Sequence, residues 1–191
     1  MAQTGIQAEL QFLRGFIARP FAVASPVPSG RALADKIAKQ IDPVPGGLVL
    51  ELGPGTGAVT QALRQRGVAD PDLVAIESDP RFVALLRTKF PRIRIIEGDA
   101  FEFAELLRDA ARPLNGIVCG LPVLGQLNVR RRHLLRSAMA ALKPGAPFVQ
   151  FSYGAWPPLP PLEGVGVRRA ATVWRNIPPM HVWVFRRPAI E

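Results

Sequence analysis

The stretch Leu50-Glu51-Leu52-Gly53-Pro54-Gly55-Thr56-Gly57 carries the decision about fold. A short apolar run of strand type leads into a glycine-rich turn, and Thr60 to Arg66 beyond it has the composition of a helix. Glycine is needed where backbone must turn sharply and approach a ligand closely. Alone, the turn suits two ligand classes, because Gly53, Gly55 and Ala58 also satisfy the dinucleotide fingerprint. The surrounding carboxylates narrow the choice. Glu51 stands immediately before the turn, and Glu77 closes the next strand-like run 20 residues after Gly57, where a carboxylate can accept both ribose hydroxyls. Asp99, followed by Ala100, closes the third run, where it can accept from an adenine exocyclic amine. Three acids at three successive strand ends suit a ribosylated adenine that bears positive charge and no phosphates, since Glu51 would repel a pyrophosphate.

Outward from this stretch, apolar runs at Leu48 to Leu52, Leu73 to Glu77, Ile93 to Glu97, Gly116 to Gly120 and Phe148 to Tyr153 alternate with helical segments. The helices are expected over Thr60 to Arg66, Arg81 to Lys89, Phe103 to Ala110 and Val129 to Leu142. Such alternation reads as a parallel sheet with crossover helices. Trp156 to Pro161, with its four prolines, cannot supply ladder hydrogen bonds and reads as a loop. Ala171 to Arg175 and Met180 to Phe185 read as a closing antiparallel hairpin.

The chain's 191 residues are 48% apolar, enough for one compact core. No apolar run reaches the ~18 residues of a membrane span, and the N-terminus lacks the pattern of a signal peptide. Cys119 is the only cysteine and His133 and His181 are far apart, so neither a disulfide nor a metal site is expected. The balance of 24 Lys and Arg against 15 Asp and Glu, a net +9, points to an anionic partner without choosing one. The run Arg130-Arg131-Arg132-His133 reads either as a solvated helix face or as an RNA contact.

Residues 1–45 stand outside the alternation and read as two amphipathic helices, a lid and membrane contact ahead of one compact unit over 46–191, with the stripe of the second helix packing on that unit. In the first, Ile6, Leu10, Leu13 and Ile17 form a stripe with Phe12 and Phe16 beside it. In the second, the stripe is Leu33, Ala34, Ile37, Ala38 and Ile41.

The acidic residue before the glycine turn, the acid after the second strand, and Asp99-Ala100 after the third resemble the class I S-adenosylmethionine-dependent methyltransferases. That resemblance implies a Rossmann-like α/β fold, a seven-stranded sheet that is parallel but for one antiparallel strand. It implies S-adenosylmethionine as donor and S-adenosylhomocysteine as product. Glu51 would help hold the methionine end, lined by Gly53, Gly55, Thr56 and Gly57. Glu77 with Ser78 would take the ribose, Asp99 with Ala100 would face the adenine, and Cys119 and Gly120 would complete the site.

The glycine turn also looks very like the ribosomal RNA adenine dimethylases. Methyltransferases of base amines, however, usually carry Asn or Asp, Pro, Pro and an aromatic after the fourth strand, so that an amide binds the amine and a ring stacks. Here Cys119 or Gly120 replaces the amide and Val123 the aromatic. RNA adenine N6-methylation is therefore the second reading. A wider resemblance is to the bacterial soluble-type phosphatidylethanolamine N-methyltransferases. It is carried by Phe12-Leu13-Arg14-Gly15, Ser25 to Ala34, Cys119-Gly120-Leu121-Pro122, Gln150-Phe151-Ser152-Tyr153-Gly154, Asn176-Ile177-Pro178-Pro179 and Val182 to Arg187. It implies stepwise methylation of phosphatidylethanolamine and its methylated derivatives toward phosphatidylcholine, without nucleic acid or metal. The protein would be cytoplasmic and peripheral to the inner membrane. Ile6, Leu10, Leu13, Phe16 and Ile17 would enter an anionic surface, assisted by Arg14 and Arg19. The substrate would meet Leu121, Pro122, Arg175 and Arg187, with Tyr153 as the candidate catalytic group orienting the amine.

Overall fold

The computed structural model describes residues 28–108, 112–174 and 179–189. The first amphipathic helix, with Ile6, Leu10, Leu13, Arg14, Phe16, Ile17 and Arg19, lies outside them, as does Arg175. Seven strands form one sheet in the order β3-β2-β1-β4-β5-β7-β6. They are β1 (Leu48–Leu52), β2 (Leu73–Glu77), β3 (Arg94–Glu97), β4 (Leu114–Cys119), β5 (Phe148–Ser152), β6 (Gly166–Val173) and β7 (Met180–Arg186). β1 pairs in parallel with β2 and β4, β2 with β3, and β4 with β5, while β7 runs antiparallel to both β5 and β6. β1 and β2 are buried along their whole length, as continuous apolar strands covered on both faces must be.

Among the described residues, five helices supply the cover: α1 (Pro28–Ala38), α2 (Ala58–Gln65), α3 (Pro80–Lys89), α4 (Phe103–Leu106) and α5 (Asn128–Ala141). Side chains of α1, α2 and α3 share one core with Val49, Ala75 and Val118. Those of α4 and α5 share the second with Leu50, Ile117 and Phe148. The stripe Leu33, Ala34, Ile37, Ala38 and Ile41 is buried in the first core. Asp79 caps α3, accepting from the Arg81 N–H at 2.9 Å, with Pro80 at the first helical position.

Differences from the sequence reading have local causes. β6 begins at Gly166, earlier than the expected Ala171, because Gly166-Val167-Arg168-Arg169 is an exposed edge with little apolar alternation. A register shift between Arg169 and Ala171 and the two arginines are the devices that discourage further pairing at an edge. The proline-rich segment is a loop, but it carries Leu159 into the second core.

The turn after β1 depends on Gly57, which begins α2 at φ 77°. A Cβ there would lie 2.5 Å from Phe90 Cε2 and 2.9 Å from Leu86 Cδ2. Gly57→Ala is expected to cost about 2–4 kcal/mol from left-handed strain and overpacking together. Urea unfolding checks this, and adding Phe90→Leu should recover the overpacking part as a positive coupling in a double-mutant cycle.

Candidate active site

Because β1, β2, β3, β4 and β5 run the same way, Glu51, Glu77, Asp99, Gly120 and Ser152 gather along one edge of the sheet. A cavity of about 330 Å³ opens there, with Gly53, Glu77, Ser78, Asp99, Ala100 and Leu121 on its walls. Six of the residues expected at the cofactor and substrate sites are thus brought together. A larger hollow of about 460 Å³ lies beside Asp70 at the opposite edge, where that carboxylate is already paired with Arg64 at 2.6 Å and Arg92 at 3.0 Å.

Glu77 is buried, and its carboxylate works on both adjoining turns. Oε2 accepts from the Gly55 N–H at 3.0 Å, and Oε1 accepts from the N–H groups of Ser78 at 2.9 Å and Asp79 at 3.0 Å. Three backbone donors occupy most of the roughly four lone-pair positions of a carboxylate, so a ribose must share Glu77 with the loops that it organises. Above Gly55 the space is open, with no atom within 4 Å of where a Cβ would stand.

Glu51 is buried beneath the turn and accepts from the Thr60 hydroxyl at 2.6 Å. Burial pushes its carboxyl up to about 7, partly opposed by the bonds from Thr60, with the nearby Glu77 charge adding to the rise. At the third strand end, Asp99 Oδ1 accepts from the Phe101 N–H at 2.9 Å and Oδ2 accepts from Arg130 Nη2 at 2.6 Å. Arg130 also lies 4.1 Å from the centre of the Phe101 ring, and it donates to Gln126 Oε1 at 3.2 Å. Arg130, Phe101 and Gln126 line the cavity and were not among the expected site residues. Arg130 could be found only as part of a basic run on a helix; no spacing rule separates the arginine that turns inward from its neighbours.

Other expected residues stand elsewhere. The Cys119 side chain is in the second core, where burial pushes the thiol up to about 12, so it is a neutral packing group rather than part of the cofactor cavity. Thr56 is exposed, and its carbonyl accepts from Lys89 at 3.1 Å; Gly57 faces Phe90. Arg187 is not brought to the site. Antiparallel pairing of β7 with β5 carries it to the opposite sheet edge, where it donates to the Leu142 carbonyl at 2.9 Å, at the end of α5.

Next to this cavity, a small pocket of about 20 Å³ is bounded by Gly120, Leu121, Pro122, Phe151, Ser152 and Tyr153. Leu121 borders both this pocket and the cofactor cavity. Gly120 admits no side chain: a Cβ would lie 2.5 Å from the Gly53 carbonyl oxygen. Tyr153 is half-buried and packs toward the α1 face. His181 meets Thr172, Nδ1 to Oγ1 at 3.0 Å, and burial with the neighbouring Arg169 holds its pKa below the ordinary value.

This sheet order, with carboxylates at the ends of β1, β2 and β3 around a glycine turn, defines the class I S-adenosylmethionine-dependent methyltransferases. Residues 30–120 match the ribosomal RNA adenine dimethylase family. The chain is similar to the ornithine lipid N-methyltransferase of Singulisphaera acidiphila, 30% identical over 149 residues that cover 76% of this chain and 78% of that one. It belongs to the family of that enzyme, and S-adenosylmethionine is its methyl donor. The ribosomal RNA small subunit methyltransferase A of Marinobacter nauticus is 35% identical over 123 residues, 62% of this chain, but the chain spans only 38% of that enzyme's length. In fold it is similar to the N-methyltransferase NodS of Bradyrhizobium japonicum, solved with S-adenosylhomocysteine, with a TM-score of 0.67 at 17% identity over 92% of this chain and 98% of that one. The cavity fits the donor: its walls are acidic at two strand ends, its volume is in the range of nucleoside-sized ligands, and its one lining arginine is engaged by Asp99.

Two outcomes follow from the carboxylates. Glu51 holds its proton more tightly folded than unfolded, so its presence should make stability fall as pH rises from 4.5 to about 7 and level off above. Glu51→Gln should therefore gain about 1–3 kcal/mol at pH 8 and little at pH 4.5, by urea unfolding, while weakening S-adenosylhomocysteine binding. Glu77→Ala should lower that affinity at least tenfold by calorimetry and cost about 1–3 kcal/mol of stability, because three N–H groups lose their acceptor; unchanged affinity would show that the ribose does not use it.

Proposed function

We propose that this chain methylates the amine of a lipid headgroup, phosphatidylethanolamine and its mono- and dimethyl derivatives, from the cytoplasmic face of a membrane to which it is peripherally bound. The observation that carries this reading is the acceptor side. Gly120, closed to any side chain by the Gly53 carbonyl, leaves no room for the amide of a base-amine methyltransferase, and the buried Val123 offers no ring for stacking. The relative from Singulisphaera acidiphila, by its name, acts on a lipid amine.

The mouth of the site supports the same partner. Leu127 (76% exposed) and Val129 (72%) lie where α5 leaves the β4 end, Trp156 (83%) follows β5, and Trp174 (76%) follows β6. All four belong to the edge that carries the cofactor cavity. Exposed tryptophan with aliphatic neighbours suits the headgroup region of a bilayer, and the net +9 suits an anionic one. Among the described residues, no helix is long and apolar enough to cross a membrane.

The chemistry asks little of catalytic side chains. S-adenosylmethionine, when bound, supplies an electrophilic methyl group. A lysine-like ammonium, with pKa near ~10.4, costs roughly 4–5 kcal/mol to deprotonate at pH 7. The apolar walls from Leu121, Pro122 and Phe151 favour the neutral amine by excluding water. Tyr153 borders the same pocket, which supports a role for it in orienting the amine. Most of the rate then comes from holding nitrogen in line with the methyl carbon.

RNA adenine methylation is the second reading, favoured by the family match over residues 30–120, which ends at Gly120 and so covers the donor side. With labelled donor, vesicles of phosphatidylethanolamine in phosphatidylglycerol should yield mono-, then di-, then trimethylated lipid, with no label in ribosomal RNA. Label in RNA alone would overturn the lipid reading, and label in ornithine lipid alone would move the headgroup.

A further inference from the structure

The geometry points to a two-oxygen amine subsite on β5: Gln150 Oε1 and Ser152 Oγ accept the N–H hydrogens of the substrate amine and aim its lone pair at the methyl group. This rests on the lipid-amine reading above and assigns the residues that would recognise the nitrogen.

Gln150 is buried in the sheet, paired in register with Cys119 on β4 and Trp183 on β7. Its Nε2 donates to the carbonyls of Leu121 and Phe151, each at 3.2 Å, which fixes the orientation of the amide. The other end, Oε1, is buried and has no partner. Even the indole N–H of Trp183, its cross-strand neighbour, leaves it free and is itself unpartnered. Ser152 lies two residues on, facing the same side of the strand. Its Oγ is also buried without a partner and borders the pocket behind Leu121. Two buried oxygens with no protein donor are ready acceptors for a ligand that brings N–H groups.

The place and the chemistry agree. Leu121, which Gln150 holds through its carbonyl, is the residue shared by the donor cavity and the acceptor pocket. Position 120 cannot carry a carboxamide, and the neighbouring strand delivers one to the adjacent residue instead. None of the residues bounding the pocket is a carboxylate. Neutral acceptors hold N–H groups without clamping an ammonium in its charged form, so the amine can shed its proton to water before it reacts. Nitrogen then forms its bond to the methyl carbon as the carbon–sulfur bond breaks, sulfur keeps the electron pair in S-adenosylhomocysteine, and a proton left on the product nitrogen goes to water.

This arrangement makes the three methylations unequal. A neutral primary amine offers two N–H hydrogens, the monomethyl amine one, and the dimethyl amine none. The test measures kcat/KM of the full chain on phosphatidylglycerol vesicles containing phosphatidylethanolamine, its monomethyl or its dimethyl derivative. Gln150→Met, which keeps volume, should lose tenfold or more on the first two acceptors and less than threefold on the third, with S-adenosylhomocysteine affinity unchanged. Ser152→Ala, the smaller change if the first variant does not fold, should lose three- to tenfold on the primary amine and stay within twofold on the dimethyl amine. Equal losses on all three acceptors, or none on any, would overturn the subsite. A parent protein inactive on all three lipids would instead overturn the lipid-amine reading, and this one with it.

Discussion

The Glu77 carboxylate fastens two loops that would otherwise be independent. One oxygen takes the Gly55 N–H from the turn after β1, and the other takes the Ser78 and Asp79 N–H groups after β2. Burial makes these charge-assisted bonds strong and their loss expensive. The floor of the donor cavity lies between those loops, so its shape rests on this group. The same constraint explains the density of glycine nearby: with the turn tied down, Gly57 must lie against Phe90 and Gly53 against Leu121, where a Cβ would come within 2.5 Å and 2.9 Å of a side-chain atom.

Charge is divided across the sheet edge. On the donor side, Glu51, Glu77 and Asp99 stand at successive strand ends, suited to a cationic nucleoside. On the acceptor side, the ends of β4 and β5 contribute backbone carbonyls, an amide, a hydroxyl and apolar walls. The first half suits a sulfonium, and the second, in the function proposed above, favours the neutral form of an amine. Arg130 marks the border of the donor half, bridging Asp99 and the Phe101 ring from the start of α5.

Much of this was legible in the chain. The runs at β1 and β2 are readable because strands buried on both faces are short and mostly apolar. The acids at 51, 77 and 99 were readable because they end such runs. The edge strand β6 was half missed, since an exposed edge is polar by necessity. Arg187 was misplaced because its sequence neighbourhood says nothing about strand direction, which depends on the pairing of β7 with β5.

The sequence by itself determined the α/β alternation, the glycine turn and the acids that bracket it, because these follow from local periodicity and from backbone conformations that few residues adopt. Only the tertiary structure decided which polar groups are buried beside the cavity without a partner. The register between β4, β5 and β7, a long-range pairing that no local pattern encodes, leaves Gln150 Oε1 and Ser152 Oγ buried without a hydrogen-bond partner and the Cys119 side chain in the second core.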